Sequence, residues 1–284
     1  MNIKVNYNNL LVDLHCHSDI SDGLLSPRDL AYTIHNSNIN TWSLTDHDTV
    51  DGLSEAQNES KKLDLAFING VEISSDWDGR TIHILGLYID YNNNCLLEGL
   101  ESNINCRKTR AFNIVKHLDS LGFHGSDSLL SSRLNNKSSI IGRLHFARFL
   151  VQSGYCKSIK KVFLKYLSDD FFKNSDKYAP LHDVISWIKN AGGVAVIAHP
   201  LNYKFSNIEL DKLMERFADL GGECVEIPLF QNHKNYELII YLIKKYNFYI
   251  SCGSDFHSFK DNLMTKERFS KIPSDLKNIW CNFL

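Results

Sequence analysis

No apolar run long enough to span a bilayer (about 18 residues or more) occurs in this 284-residue chain, which excludes a membrane-crossing helix of the usual kind. The opening Met1-Asn2-Ile3-Lys4-Val5 carries charge and leads into no sustained apolar core with small residues behind it, which argues against a secretory signal. No Cys-x-x-Cys pair is present, and seven cysteines make an odd set. Both facts speak against a disulfide framework and for reduced thiols, so a cytoplasmic location is expected. An excess of one charge is missing as well. The 31 Lys and Arg against 33 Asp and Glu leave a formal charge of −2, which provides no global attraction to nucleic acid. Any polyanion must then be recognised locally, by metal ions and a few Arg or Lys. Internal repeats and low-complexity tracts are absent too.

What is present is a length sufficient for one large domain, or a domain carrying an insertion, with a sizeable core. Short β-rich runs alternate with amphipathic helical stretches, the pattern of an α/β chain. The strand candidates are residues 10–14, 41–44, 66–68, 81–88, 194–198, 224–227 and 248–251. Ser26-Pro27-Arg28-Asp29 reads as a helix start, with a capping serine, a proline in the first turn and an early acid. Ala191-Gly192-Gly193 closes a helix beginning at Leu181 and leads into a strand, and Leu220-Gly221-Gly222 does the same before Cys224. Between about residues 92 and 180 the character is helical, with Ile104, Ala111, Phe112, Val115 and Leu118 marking one face. The expected organisation is therefore a barrel in two parts, 1–91 and 181–284, with 92–180 a helical lid over its mouth. The basic stretch from Lys157 to Lys165 reads as a solvated helix face.

Nine potential metal ligands are spread along this frame: His15, His17, Asp22, His47, Glu72, His83, His199, Asp255 and His257. His15 and His17 share a face if their segment is extended, and Asp255 and His257 repeat that spacing. Cys16, between the first pair, then points to the opposite face and belongs to the core. Most of the nine follow the C-terminal ends of strand candidates, where parallel barrels gather their active sites. They converge only if the strands run side by side in one direction. His83 stands early in its run and breaks the pattern. Flanked by Ile82 and Ile84, it must be satisfied by a buried hydrogen bond or by a metal. Glu72 can give one oxygen to each of two ions, so three ions can share nine ligands. Asp46 and Asp48, beside His47, are expected to orient imidazoles or cap the next helix. Histidine and carboxylate together suit Mn, Fe or Zn better than Mg or Ca. The chemistry indicated is metal-assisted hydrolysis.

These motifs, from Asp13-Leu14-His15-Cys16-His17-Ser18 and Ser21-Asp22-Gly23 through Leu44-Thr45-Asp46-His47-Asp48-Thr49 and Gly70-Val71-Glu72-Ile73 to Ala198-His199-Pro200 and Gly253-Ser254-Asp255-Phe256-His257, resemble those of the polymerase-and-histidinol-phosphatase (PHP) phosphoesterases over nearly the whole chain. Ile141-Gly142-Arg143-x-His145-Phe146-Ala147-Arg148 and Ile272-Pro273 resemble the branch containing 5′-to-3′ exoribonucleases and 3′,5′-nucleoside bisphosphate phosphatases. The resemblance implies a distorted seven-stranded β/α (TIM-like) barrel and three divalent ions, manganese first, with iron or zinc as alternatives. It implies His15, His17, Glu72 and Asp255 on one ion, Asp22, His47 and His257 on a second, and Glu72, His83 and His199 on a third. One departure stands out. Leu201-Asn202-Tyr203 replaces the Gly-Arg-Tyr frequent in relatives, which removes an arginine from that position.

On this reading a water shared by two ions loses its proton near neutral pH and attacks phosphorus, held in place by Asp22, His47, Glu72 and His257. Arg143 is expected to grip a second phosphate, assisted by His145 and Arg148. The expected substrates are a nucleotide or the 5′ end of single-stranded RNA, whose bases can stack on Tyr178, Tyr203 or Phe205. No membrane contact and no obligate protein partner is expected. The apolar end, Trp280 to Leu284, is read as docking on the barrel or on a partner. Three rivals stand beside this reading: histidinol-phosphate-type hydrolysis, metal-dependent amide or amine hydrolysis, and an inactive metal- or RNA-binding module.

Overall fold

The computed structural model describes residues 10–135, 140–168, 177–228 and 235–281. Seven strands form one sheet in sequence order: β1 (Val12–Cys16), β2 (Thr41–Leu44), β3 (Ala66–Trp77), β4 (Arg80–Leu87), β5 (Val194–Ile197), β6 (Cys224–Glu226) and β7 (Tyr249–Ser251). The sheet curls until its edges meet. Leu14 N donates to Cys252 O at 2.9 Å, Asp255 N to His15 O at 2.8 Å and His17 N to Phe256 O at 2.9 Å. Helices α1 (Pro27–Asn36), α2 (Leu53–Lys62), α7 (Leu181–Asn190), α8 (Asn207–Asp219) and α9 (Tyr236–Lys245) connect the strands and cover the outer face. In α1, Ser26 accepts from Asp29 N as anticipated, and Pro27, Leu30, Ala31 and Ile34 are the residues it buries.

The sheet is not parallel throughout, as the convergence argument required. The pairs β1/β2, β2/β3, β5/β6 and β6/β7 are parallel, whereas β4 is antiparallel to both β3 and β5. The cause is a hairpin. Trp77 pairs with Arg80 across a two-residue loop, Asp78-Gly79, with φ of 50° and 74°. Positive φ at both positions matches the twist of antiparallel strands and favours an Asp-Gly pair. The hairpin also explains His83. Because β4 enters from the mouth, an early residue on it lies at the same end as late residues on its neighbours, and His83 sits opposite Ser74 in register. The run predicted to end at Ile68 belongs to a strand of 12 residues that reaches Trp77, with Glu72 inside it.

Between β4 and α7 stand α3 (Asn94–Ser120), α4 (Ser126–Asn135), α5 (Arg143–Gln152) and α6 (Ile159–Lys165). Ala111, Ile114 and Leu118 of α3 pack with Leu130, Phe146, Leu150 and Val162 in an apolar cluster separate from that of the sheet. The predicted α3 face is rotated from the observed one: Phe112 is exposed, whereas Asn103 and Arg107 are buried toward the strands. Trp280 is buried with its ring 5.6 Å from Phe269, and residues 282–284 lie outside the described part. Among the described residues no helix is long and apolar enough to cross a membrane.

Candidate metal centre

All nine candidate ligands meet at one end of the curled sheet, in overlapping groups whose ligand atoms lie within 4.8 Å of one another. β1 ends at Cys16, so its pleat aims His15 and His17 into the centre and turns Cys16 outward, fully buried with Sγ 3.7 Å from Ser254 Oγ. His47 follows β2, His199 follows β5, and Asp255 and His257 follow β7. The turns that present them use left-handed backbone, φ 31° at His199 and 54° at Asp255, a conformation costing about 1–3 kcal/mol per residue and concentrated at functional sites. Gly253 permits the close crossing of β1 and the chain after β7, since a Cβ there would stand 2.2 Å from His15 Cβ.

Three constellations can be separated. His15 Nε2 and His17 Nε2 are 3.1 Å apart, and each stands 3.2–3.4 Å from Glu72 Oε2 and Asp255 Oδ1. On the other side of the same carboxylate, Glu72 Oε1 is 3.0 Å from both His83 Nδ1 and His199 Nε2, which are 3.3 Å from each other. Asp22 lies 3.1 Å from His257 Nε2 and 3.9 Å from His47 Nε2, a looser set. His47 also reaches Glu72 Oε2, through Nδ1 at 2.9 Å.

This donor set fits divalent ions. Two ligands each about 2.0–2.2 Å from one ion lie about 2.8–3.6 Å apart, the range spanned by the first two constellations. Glu72 Oε2, Asp22 Oδ1 and His47 Nδ1 are buried and form no hydrogen bond, although nitrogen and oxygen stand about 3 Å apart, so their lone pairs converge on shared points. The electrostatics agree. Burial resists charge on His257, yet Asp22 and Asp255 beside it lift its pKa to about 10. Burial likewise opposes a charged His15, and Glu226, Glu72 and Asp255 still hold it well above the imidazole range. His83, where burial outweighs Glu72, falls to about 4 and is neutral. A cluster that draws protons onto imidazoles is short of positive charge.

That shortage sets a pH dependence. Without ions His257 keeps its proton below about pH 10, and an ion must displace it to bind. Affinity at the Asp22/His47/His257 set therefore rises with pH, by about tenfold per unit for this one proton. Calorimetric titration of the metal-free protein with Mn between pH 6 and 8 checks this. Proton release on binding with log affinity rising at a slope of about one or more is expected, and a flat profile contradicts it.

Supporting groups differ from those anticipated. The carboxylate that orients an imidazole is Glu226 at the end of β6, 2.6 Å from His15 Nδ1, and its signal was a lone acid in the apolar run Cys224-Val225-Glu226-Ile227. Asp46 neither orients an imidazole nor caps a helix. It accepts from Ser18 N (2.8 Å), Ser18 Oγ (2.5 Å) and Ser21 Oγ (2.6 Å), fixing the loop that carries Asp22. Asp48 accepts from Ser74 N (2.8 Å), Asn103 Nδ2 (2.9 Å) and Arg107 Nε (2.6 Å), tying α3 to β3. The α2 N-cap is Gly52, without a side-chain bond.

A cavity of about 260 Å³ opens onto Asp22, His47 and His83 and is walled by Arg107, Arg110, Arg143, Phe163 and Tyr178. Of the three residues expected to grip phosphate, only Arg143 lines it. Its guanidinium lies 5.6 Å from the Phe163 ring and donates to Leu167 O. His145 instead accepts from Gly142 N at 3.0 Å and meets Arg133, while Arg133 and Arg148 donate to Ser21 O and Asp22 O behind the Asp22 loop. Burial takes His145 down to about 4, so it is neutral. Arg107 and Arg110, one turn apart on α3, were missed because that stretch was read only for its apolar face. Both guanidinium carbons lie 5.5 Å from the Tyr178 ring. Tyr203 does not line this cavity, since its hydroxyl bridges His83 N (2.8 Å) and Ala198 O (3.0 Å). The Phe205 ring packs under Arg80.

Comparison with known proteins gives this constellation a family. The PHP domain matches residues 13–271. A Haemophilus influenzae 5′-3′ exoribonuclease is 35% identical over 253 residues, covering 86% of this chain and 89% of the relative. A 3′,5′-nucleoside bisphosphate phosphatase from Chromobacterium violaceum is 34% identical over 273 residues, covering 95% of each. A solved structure from Chromobacterium violaceum, described as an amidohydrolase with sulfate bound and no metal, superposes with a TM-score of 0.86 at 33% identity, covering 95% of this chain and 94% of that one. The chain belongs to the PHP-domain family and is a metal-dependent phosphoesterase.

Proposed function

We propose that this enzyme hydrolyses the 3′-phosphoester of a 5′-phosphorylated nucleoside. The 3′ group is either a bare phosphate, as in a nucleoside 3′,5′-bisphosphate, or the next nucleotide at the 5′ end of RNA. The two substrates differ only beyond the scissile phosphate, and both yield a nucleoside 5′-monophosphate. The observation that carries the reading is the cavity beside Asp22, His47 and His83, which Arg107, Arg110, Arg143 and Tyr178 line together. Planar forks match phosphate oxygens, and an aromatic face suits a base. The names of the two relatives point to the same pair of substrates.

Three ions are proposed, Mn first, on the ligand sets described above, with Glu72 shared because its two oxygens face two different sets. Such ions supply charge to the phosphoryl oxygens and a water acidified toward neutral pH. The protein's own groups do the rest. Glu226 fixes the His15 ring with Nε2 toward the centre, and the Asp255 carbonyl does the same for His257 through Nδ1 at 2.8 Å. Arg143 holds the 5′-phosphate, and Tyr178 takes the base, so the 3′ oxygen is directed at the ligand cluster. Amide hydrolysis is a second reading, favoured by the description of the solved relative. A cavity walled by three arginines favours an anion over a neutral amide.

The test is turnover of adenosine 3′,5′-bisphosphate and of a 5′-phosphorylated RNA oligomer by Mn-loaded protein. Release of adenosine 5′-monophosphate and phosphate from the first, and of nucleoside 5′-monophosphate from the second, is expected, falling at least about a hundredfold in Asp22→Ala, as when one electrostatic stabiliser of a transition state is removed. Failure on both substrates with ions bound would sink the reading.

A further inference from the structure

The ligand cluster borders a second cavity, of about 290 Å³, which shares no lining residue with the arginine-rich one. Asp22, His47 and His83 wall the first, whereas His199 and Asp255 wall the second. Asp255 is also the carboxylate of the cluster most open to solvent, its side chain 36% exposed against 1% for Glu72. Leu201, Asn202, Ser254 and Arg268 also line it. The acids in the wall are engaged. Glu226 holds His15, and Asp261 accepts from His257 N (3.1 Å) and Ser258 N (2.8 Å). Arg268 is the one Lys or Arg among the described lining residues, and its Nη1 donates to Asn262 O at 3.0 Å.

Resting on the nucleotide reading above, we propose that this second cavity receives the nucleotide on the far side of the scissile phosphate, with Arg268 directed to that nucleotide's own 3′-phosphate. A bisphosphate has nothing to place there, because its 3′-phosphoryl group ends in oxygens. A phosphodiester must place a ribose and a base beyond the phosphorus. The cavity supplies amide and hydroxyl groups from Asn202 and Ser254 for them, apolar surface from Leu201, and one guanidinium for the following phosphate. The chemistry closes on itself. Water adds its oxygen to phosphorus, the bond from phosphorus to the first ribose O3′ breaks, and that oxygen takes a proton. The first nucleotide leaves as a 5′-monophosphate from the arginine-rich cavity. The remaining strand keeps the phosphate on its new 5′ end and is again a substrate of the same class.

The experiment compares kcat/KM for adenosine 3′,5′-bisphosphate with that for the 5′-phosphorylated adenylate trinucleotide, using metal-loaded full-length protein. Wild-type protein is expected to favour the trinucleotide by about tenfold or more, the scale of one added base and phosphate contact. Arg268→Gln, which removes the charge, and Asn202→Trp, which fills the cavity, are each expected to lower that ratio by about tenfold. The ratio cancels any change in metal content common to both substrates. No preference in wild type, or a ratio unmoved by both variants, overturns the subsite while leaving the nucleotide reading intact. Wild-type protein inert on both substrates with ions bound overturns the nucleotide reading, and the subsite falls with it.

Discussion

Glu72→Gln is expected to lower kcat/KM by roughly a thousandfold or more and to strip the centre of bound metal. The carboxylate is buried among five imidazoles, His15, His17, His47, His83 and His199, at 2.9–3.4 Å. Those rings hold it well below the usual carboxylate range against the effect of burial, with His47, His83 and His15 the main contributors. It is therefore charged at neutral pH. It is also the only candidate ligand with one oxygen facing the His15/His17/Asp255 set and the other facing His83/His199. Glutamine keeps the shape and one acceptor oxygen but loses the charge and turns an NH2 toward one of the two sets. Both neighbouring sites then lose an anionic ligand at once, where the loss of a single electrostatic partner already costs about 10²–10³ in rate. Metal content by mass spectrometry and steady-state kinetics on the same preparation check it. A variant with full metal content and activity within tenfold of wild type removes Glu72 as the shared ligand.

The sequence made most of the cluster legible because most candidate ligands end or adjoin a short apolar run, and local periodicity fixes where such a residue points. His15 and His17 needed only the pleat of one strand. His199 and Asp255 needed only the rule that strand ends gather at one mouth, whereas Glu72 lies inside β3, which runs on to Trp77. What stayed hidden depended on partners distant in sequence. Glu226 looks like any acid until β6 is laid beside β5 and its carboxylate reaches a histidine 211 residues earlier. The reversal of β4 was signalled by Asp78-Gly79, the strongest short hairpin cue, yet the polar residues Ser74, Ser75 and Asp76 masked the strand leading into it. Read with that cue, His83 is no exception. The face of α3 was misjudged for a related reason. Apolar periodicity finds oil-filled interfaces, whereas this helix meets β3 through an amide and a guanidinium, Asn103 and Arg107, whose burial depends on partners in Asp48 and Ser74. The arginine-rich cavity follows from that contact. Arg107 and Arg110 can face it only because α3 is anchored at Asp48.

That anchor carries the largest stability effect expected outside the metal centre. Asp48 is fully buried and spends both oxygens on three donors, Ser74 N, Asn103 Nδ2 and Arg107 Nε. Arg107 is itself buried, with Nη2 on Ser74 Oγ at 2.8 Å. Asp48→Asn is nearly isosteric, and asparagine tolerates the left-handed backbone at this position, where φ is 51°, so strain contributes little. What remains is a guanidinium left in the interior without its counter-charge and an amide group directed at other donors. Breaking one side of a buried pair costs about 3–5 kcal/mol, and that is the expected loss of unfolding free energy. Urea denaturation followed by circular dichroism measures it. Adding Arg107→Met to Asp48→Asn removes the stranded charge, so the double variant is expected to be more stable than Asp48→Asn alone. A loss below about 1 kcal/mol in the single variant, the scale of an exposed pair, would show that the interaction does not anchor α3. Because Arg107 and Arg110 ride on the same helix, the folded fraction of Asp48→Asn is also expected to show a higher KM for the bisphosphate. The arginine-lined wall is thereby coupled to the β3 strand that supplies Glu72.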